Sequence, residues 1–81
     1  MEDTMQTVLV SFSTAQSVKE FVERISPLKG QFDLLSGGYI LDAKSLMGIF
    51  GLDLSKPIML RIEKPAAETM KAIESYVVRE E

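Results

Sequence analysis

Between Phe12 and Ala15 the spacing of apolar residues changes from two to three or four, and no other feature constrains the fold so much. In MQTVLVSF, residues 5–12, Val8, Val10 and Phe12 alternate with Thr7, Leu9 and Ser11, the period of a strand with one covered face. Beyond the change, Ala15, Val18, Phe21, Val22 and Ile25 recur at helical spacing while Lys19, Glu20, Glu23 and Arg24 fill the opposite side. Ser13 with Gln16 three positions later reads as a capping box. Ser26-Pro27 reads as the stop, because a residue before proline is pushed out of the α region. A strand running at once into an amphipathic helix predicts a sheet on which that helix lies.

The remaining sequence supplies the sheet. QFDLLSGGYILDA predicts a hairpin, with Phe32 and Leu34 on one strand, Tyr39 and Leu41 on the next, and Gly37-Gly38 free to take the positive φ angles of a tight turn. In residues 45–52, Leu46, Ile49 and Phe50 have helical spacing, and two glycines keep that helix short. IMLRIE alternates Ile58, Leu60 and Ile62 with Met59, Arg61 and Glu63, a fourth strand. Pro65 suits the first turn of a last helix, whose buried stripe is expected at Ala66, Met70, Ile73 and Val77. The order β-α-β-β-α-β-α, without linker or repeat, predicts one domain over 1–81. Its fold class is α+β, an open-faced sandwich in which three helices cover one face of a four-stranded antiparallel sheet. The other face is expected to be solvated through Thr7, Ser11, Asp33, Arg61 and Glu63, with Leu9, Leu35 and Met59 as an apolar exception.

Composition narrows the function classes. A domain of 81 residues buries only about 60% of the surface of its unfolded chain, so its core has to be well used. With no cysteine there is neither a disulfide framework nor a thiolate metal site, and no cofactor or metal is expected. Twelve acidic and nine basic residues, a net charge of −3 with both signs dispersed, do not make a nucleic-acid surface. No apolar run approaches the roughly 20 residues of a membrane span, and the acidic start Met1-Glu2-Asp3 is unlike a secretory leader, so a cytoplasmic protein is expected. The absence of histidine removes the usual neutral-pH general base and the imidazole that could accept a phosphoryl group.

The most specific stretch is DAKSLMGIFGLDL, residues 42–54. Lys44-Ser45-Leu46-Met47-Gly48-Ile49, followed by Leu52, resembles the regulatory-serine signature of HPr, the histidine-containing phosphocarrier of the bacterial sugar phosphotransferase system. The shared element order extends the resemblance over nearly the whole chain. It implies an HPr-like fold. In that family a histidine at the start of the first helix takes phosphate from Enzyme I and passes it on, assisted by an arginine. Ungapped alignment from Val22 and Ser26 places Thr14 at the histidine and Gln16 at the arginine, a degenerate phosphocarrier site. Ser17 stands where the family has a proline, and Glu63-Lys64-Pro65-Ala66 is a shorter approach to the last helix. Catabolite-repression HPr-like proteins also lack the histidine and keep the serine, and this chain is similar to that kind of variant.

For Ser45 two readings coexist: a helix N-cap worth about 1 kcal/mol, and, by resemblance, the target of an HPr kinase/phosphorylase. For Leu46, Met47 and Phe50 the resemblance implies an apolar surface used against phosphotransferase components and transcriptional regulators. Ile49 is expected in the core and Met47 substantially exposed; core packing is the other reading of Leu46 and Phe50. Thr14 and Gln16 read first as helix-start residues, with an anion site on the free N–H groups as the second reading. The leading expectation is therefore a non-enzymatic regulatory or partner-binding module, with no catalytic residue. A second is a structural interaction module, homodimeric through a sheet edge, and a third is a phosphocarrier.

Overall fold

The computed structural model describes residues 5–78, so the Met1-Glu2-Asp3 start lies outside the described residues. β1 (Met5–Val10) leads into α1 (Ala15–Ile25), followed by the hairpin β2 (Phe32–Ser36) and β3 (Tyr39–Asp42), α2 (Leu46–Phe50), β4 (Ile58–Glu63) and α3 (Ala67–Ile73). A 3-10 turn, Glu74–Tyr76, extends α3. The strands form one antiparallel sheet in the order β1-β4-β2-β3. This is the expected open-faced sandwich.

Alternation decides which face is covered. Val10, Phe32, Leu34, Ile58, Leu60 and Ile62 point inward and meet Val18, Phe21 and Ile25 of α1, Ile49 of α2 and Ile73 of α3 in a single core. Each fully buried large aliphatic or aromatic side chain stabilises the fold by about 1.5–3 kcal/mol, before the entropy of ordering it is counted. Phe21 sits at the centre of an aromatic group, edge-on to Phe12 at 5.0 Å and to Tyr76 at 5.3 Å. Phe12 lies past the end of β1 yet is buried, because this aromatic contact holds it inward.

Gly37 and Gly38 take φ of 54° and 91°, the left-handed pair that lets two residues reverse a twisted hairpin. The β1 edge is closed in part by the chain's own later residues. Val77 bridges Val10, Ser11 N–H donates to Tyr76 O at 2.9 Å, and Val78 N–H donates to Leu9 O at 2.8 Å.

Four expectations are corrected. The first helix is capped one residue later than Ser13, by Thr14, whose return partner is Ser17 and not Gln16. Pro65 precedes the cap of α3 and is not in its first turn, since Ala66 is the extended N-cap residue. The buried residues of α3 are Thr69 and Ile73; Ala66 is exposed, Met70 half-buried, and Val77 is extended because the helix has already tightened and stopped. Asp33, expected in solvent, is 8% exposed. Its carboxylate accepts from Arg61 Nη2 at 3.2 Å and from Gln31 Nε2 at 3.2 and 3.4 Å, and these partners cover it.

Candidate functional site

Two helix starts carry the residues singled out by sequence. At the first, Thr14 holds an extended backbone, φ −144° and ψ 165°, and its Oγ1 accepts the Ser17 N–H at 3.0 Å. Ser17 Oγ accepts the Thr14 N–H at 3.1 Å and donates to the Thr14 carbonyl at 2.6 Å. The threonine hydroxyl is thus engaged in a local cap. Gln16 turns along the helix, its Nε2 donating to Glu20 Oε2 at 3.4 Å, and does not reach back over Thr14. The amides of Ala15 and Gln16 belong to the first turn, whose N–H groups have no carbonyl four residues earlier within the helix. Thr14 and Gln16 are therefore neighbours at the helix start with separate hydrogen-bonding roles.

At the second start, Asp42 organises the turn from β3 into α2. Its Oδ1 accepts the Lys44 N–H at 2.9 Å, and its carbonyl accepts the Ser45 N–H at 3.0 Å. Ala43 is fully buried and donates to Phe32 O, which fixes the turn to β2. Ser45, extended at φ −95° and ψ 101°, is exposed and caps α2 by accepting the Gly48 N–H at 3.3 Å. Space at Gly48 is tight, since a Cβ would lie 3.1 Å from Ser45 Oγ and 3.3 Å from Leu41 Cδ1. The Lys44 ammonium turns away, donating to Leu28 O at 2.7 Å and standing 5.2 Å from the centre of the Phe32 ring. That cation braces the fold and leaves the serine to the helix amides.

Met47 is 82% exposed and Phe50 42%, whereas Ile49 is fully buried and Leu46 packs partly on the core. Five residues make little more than one turn, so a helix of that length presents one inward side chain and leaves the others at its margin. The apolar surface continues onto β3, where Tyr39 and Ile40 are exposed. Between them a groove of about 330 Å³ is lined by Tyr39, Ile40, Leu41, Gly48, Gly51 and Leu52. Tyr39 and Ile40 are not among the surface residues expected from sequence. Their signal is two large apolar residues just after a Gly-Gly turn on a strand with only one neighbour.

Two titrating groups elsewhere are displaced. Burial pushes the Tyr76 phenol above its ordinary value, opposed by the Arg24 guanidinium beside it. Ser55, donating from Oγ at 2.6 Å and from N at 3.1 Å, holds the Asp53 carboxyl below its usual range. Among the described residues no group of three or more acidic side chains is placed to hold a metal ion. No helix among them is long and apolar enough to cross a membrane.

The sheet order and the helices on one face define the HPr-like open-faced sandwich. Among solved structures the chain is similar to HPr-C-His from Thermoanaerobacter tengcongensis, with a TM-score of 0.61 and 22% identity over 93% of this chain and 89% of the other. No protein-family model matches the chain. No curated protein sequence matches it.

Proposed function

We propose that this protein is an HPr-like, non-enzymatic regulatory module that docks on protein partners through α2 and responds to phosphate on Ser45. The observation that carries the proposal is the pairing on one short helix of an exposed cap serine with the exposed side chains of Met47 and Phe50. A phosphate on Ser45 adds about −1.5 to −2 charges beside the start of α2 and next to that apolar surface. It therefore changes the chemistry of the face that a phosphotransferase component or a transcriptional regulator would meet. Leu46, Met47 and Phe50 are the proposed contacts, with the groove against β3 as their continuation. The setting is cytoplasmic, where an HPr kinase/phosphorylase would act.

A phosphocarrier role is not supported by the residues at the first helix. A phosphoester on Thr14 lacks the transfer potential of a phosphoimidazole, and the neutral Gln16 amide lacks the charge-assisted contacts of an arginine. Incubation with Enzyme I and phosphoenolpyruvate should give no transferable phosphate. Incubation with an HPr kinase/phosphorylase and ATP should raise the mass by one phosphate, and Ser45→Ala should abolish the gain. The proposal fails if wild-type protein gains no mass, or if the gain survives Ser45→Ala.

A further inference from the structure

The face of the sheet turned away from the helices carries an apolar row that shares only Ile40 with the groove beside α2. Strand register aligns Leu9, Met59, Leu35 and Ile40 directly across β1, β4, β2 and β3. The next outward row, across the same strands, is Thr7, Arg61, Asp33 and Asp42. Met59 is 41% exposed and Ile40 is exposed, while Leu9 and Leu35 are half-buried. Four aligned apolar residues form a stripe, unlike scattered single ones that need no explanation.

We propose that this face packs against the same face of a second copy of the chain, about a two-fold axis running along the strands between β4 and β2. That axis exchanges the two central strands and the two outer strands. Met59 then meets Leu35 of the second copy, and Leu9 meets Ile40 of the second copy. In the polar row Arg61 meets Asp33 of the second copy, and the Thr7 hydroxyl meets Asp42 of the second copy. The apolar row thus covers itself, and since each Arg61–Asp33 pair is already joined within its own chain, the stacking sets no two like charges of the polar row face to face. A two-fold axis running across the strands would instead set the charged row over the turn-side residues Ser11, Pro57 and Gly37, burying charge without a partner. Charge complementarity therefore selects both the occupant and the axis.

Edge pairing is less suited to the same purpose. The β1 edge already bonds to Tyr76 and Val78, and β3 has only four residues. Stacking, by contrast, uses side chains that the register has already aligned. The face is small, however. Four strands about 4.8 Å apart and about five residues long give roughly 20 × 17 Å, less than half of the roughly 800 Å² per partner in a standard interface. The dimer is accordingly weak and concentration-dependent.

Sedimentation velocity on the full chain from micromolar to millimolar concentration should show a reversible monomer–dimer equilibrium. Met59→Glu should weaken it by roughly tenfold or more, because a carboxylate would have to be desolvated within the apolar row. Far-UV circular dichroism should be unchanged. The native chain has no cysteine, so a mixture of Met59→Cys and Leu35→Cys chains reports the axis directly. Oxidation should yield the mixed disulfide dimer faster than either like pair. The proposal is overturned if wild-type protein stays monomeric at millimolar concentration, if folded Met59→Glu dimerises as wild type does, or if like pairs form as fast as the mixed one. Should Met59→Glu not fold, the cysteine mixture decides alone. Because α2 lies against the other face of the sheet, loss of Ser45 phosphorylation would leave this equilibrium unchanged.

Discussion

Replacing Thr14 by alanine isolates what the cap residue of α1 does for the fold. The substitution removes the 3.0 Å bond from Ser17 N–H to Thr14 Oγ1 but keeps the bonds that Ser17 Oγ makes to the backbone of residue 14. Half of the reciprocal cap survives, so the loss should be about 1 kcal/mol, near the middle of the range for N-cap replacement. With a urea m-value of about 1 kcal/mol/M for a domain this small, the midpoint should fall by about 1 M. The melting temperature should fall by about 4–8 °C. Thr14→Ser keeps the acceptor and should lie within a few tenths of a kcal/mol of wild type. Urea unfolding followed by far-UV circular dichroism would measure all three proteins. Ser13→Ala is the discriminating control, because Ser13 is the residue that sequence alone favours as part of the cap. If Ser13→Ala destabilises the protein more than Thr14→Ala, or if Thr14→Ala is indistinguishable from wild type, the assigned cap is wrong.

Phe21→Ala empties the centre of the aromatic group with Phe12 and Tyr76 and should cost about 3–5 kcal/mol, a large part of a small domain's stability in urea unfolding. Lys64 is the one described non-glycine residue with a positive φ, 48°, so Lys64→Gly should relieve backbone strain and stabilise by up to about 1 kcal/mol, read as a higher melting temperature. Tyr76, with its folded-state pKa raised, contributes stability that is present below the ordinary phenol value of 10.0 and lost as pH rises from there through the folded value, and Tyr76→Phe should flatten that alkaline decline in thermal melts. Asp53, with its folded-state pKa lowered, acts oppositely: its contribution is present above the ordinary 3.8 and lost as pH falls through the folded value, so Asp53→Asn should remove that part of the acid dependence.

The legible parts of the fold were those where one periodicity ran long enough to repeat. α1 shows three turns of apolar spacing and β4 three alternations, and both lie where the pattern places them. The start of α1 was misplaced by one residue because Ser13 and Thr14 both have capping hydroxyls, each with a polar side chain three positions later. Backbone geometry chose Thr14, and a serine hydroxyl served as the return partner usually supplied by a longer side chain. The end of α3 carries neither glycine nor proline, so nothing local announced the tightening at Glu74. Pairing of residues 76–78 with β1 settles it, and such long-range pairing leaves no trace in local spacing. Asp33 was misplaced because alternation tells which face a residue is on, not whether neighbours cover it there. Likewise Ile49 and Met47 separate inside from outside as expected, but the groove against β3 depends on which strand lies at the edge.

The order of the strands has a consequence for how the molecule is made. Val10 and its partner Ile58 are 48 positions apart, the difference of their residue numbers, and the two residues that bond the other side of β1 come later still. On a ribosome the first strand emerges early and then waits, at about 5–20 residues per second, for some seconds until β4 can reach it. The β2–β3 hairpin and α1 need no such delay, since their contacts close over short loops. Until β4 arrives, Val8 and Val10 lie on an unpaired strand that a nascent neighbour could capture. The hazard of mispairing is therefore concentrated in that interval, before β1 has its partner.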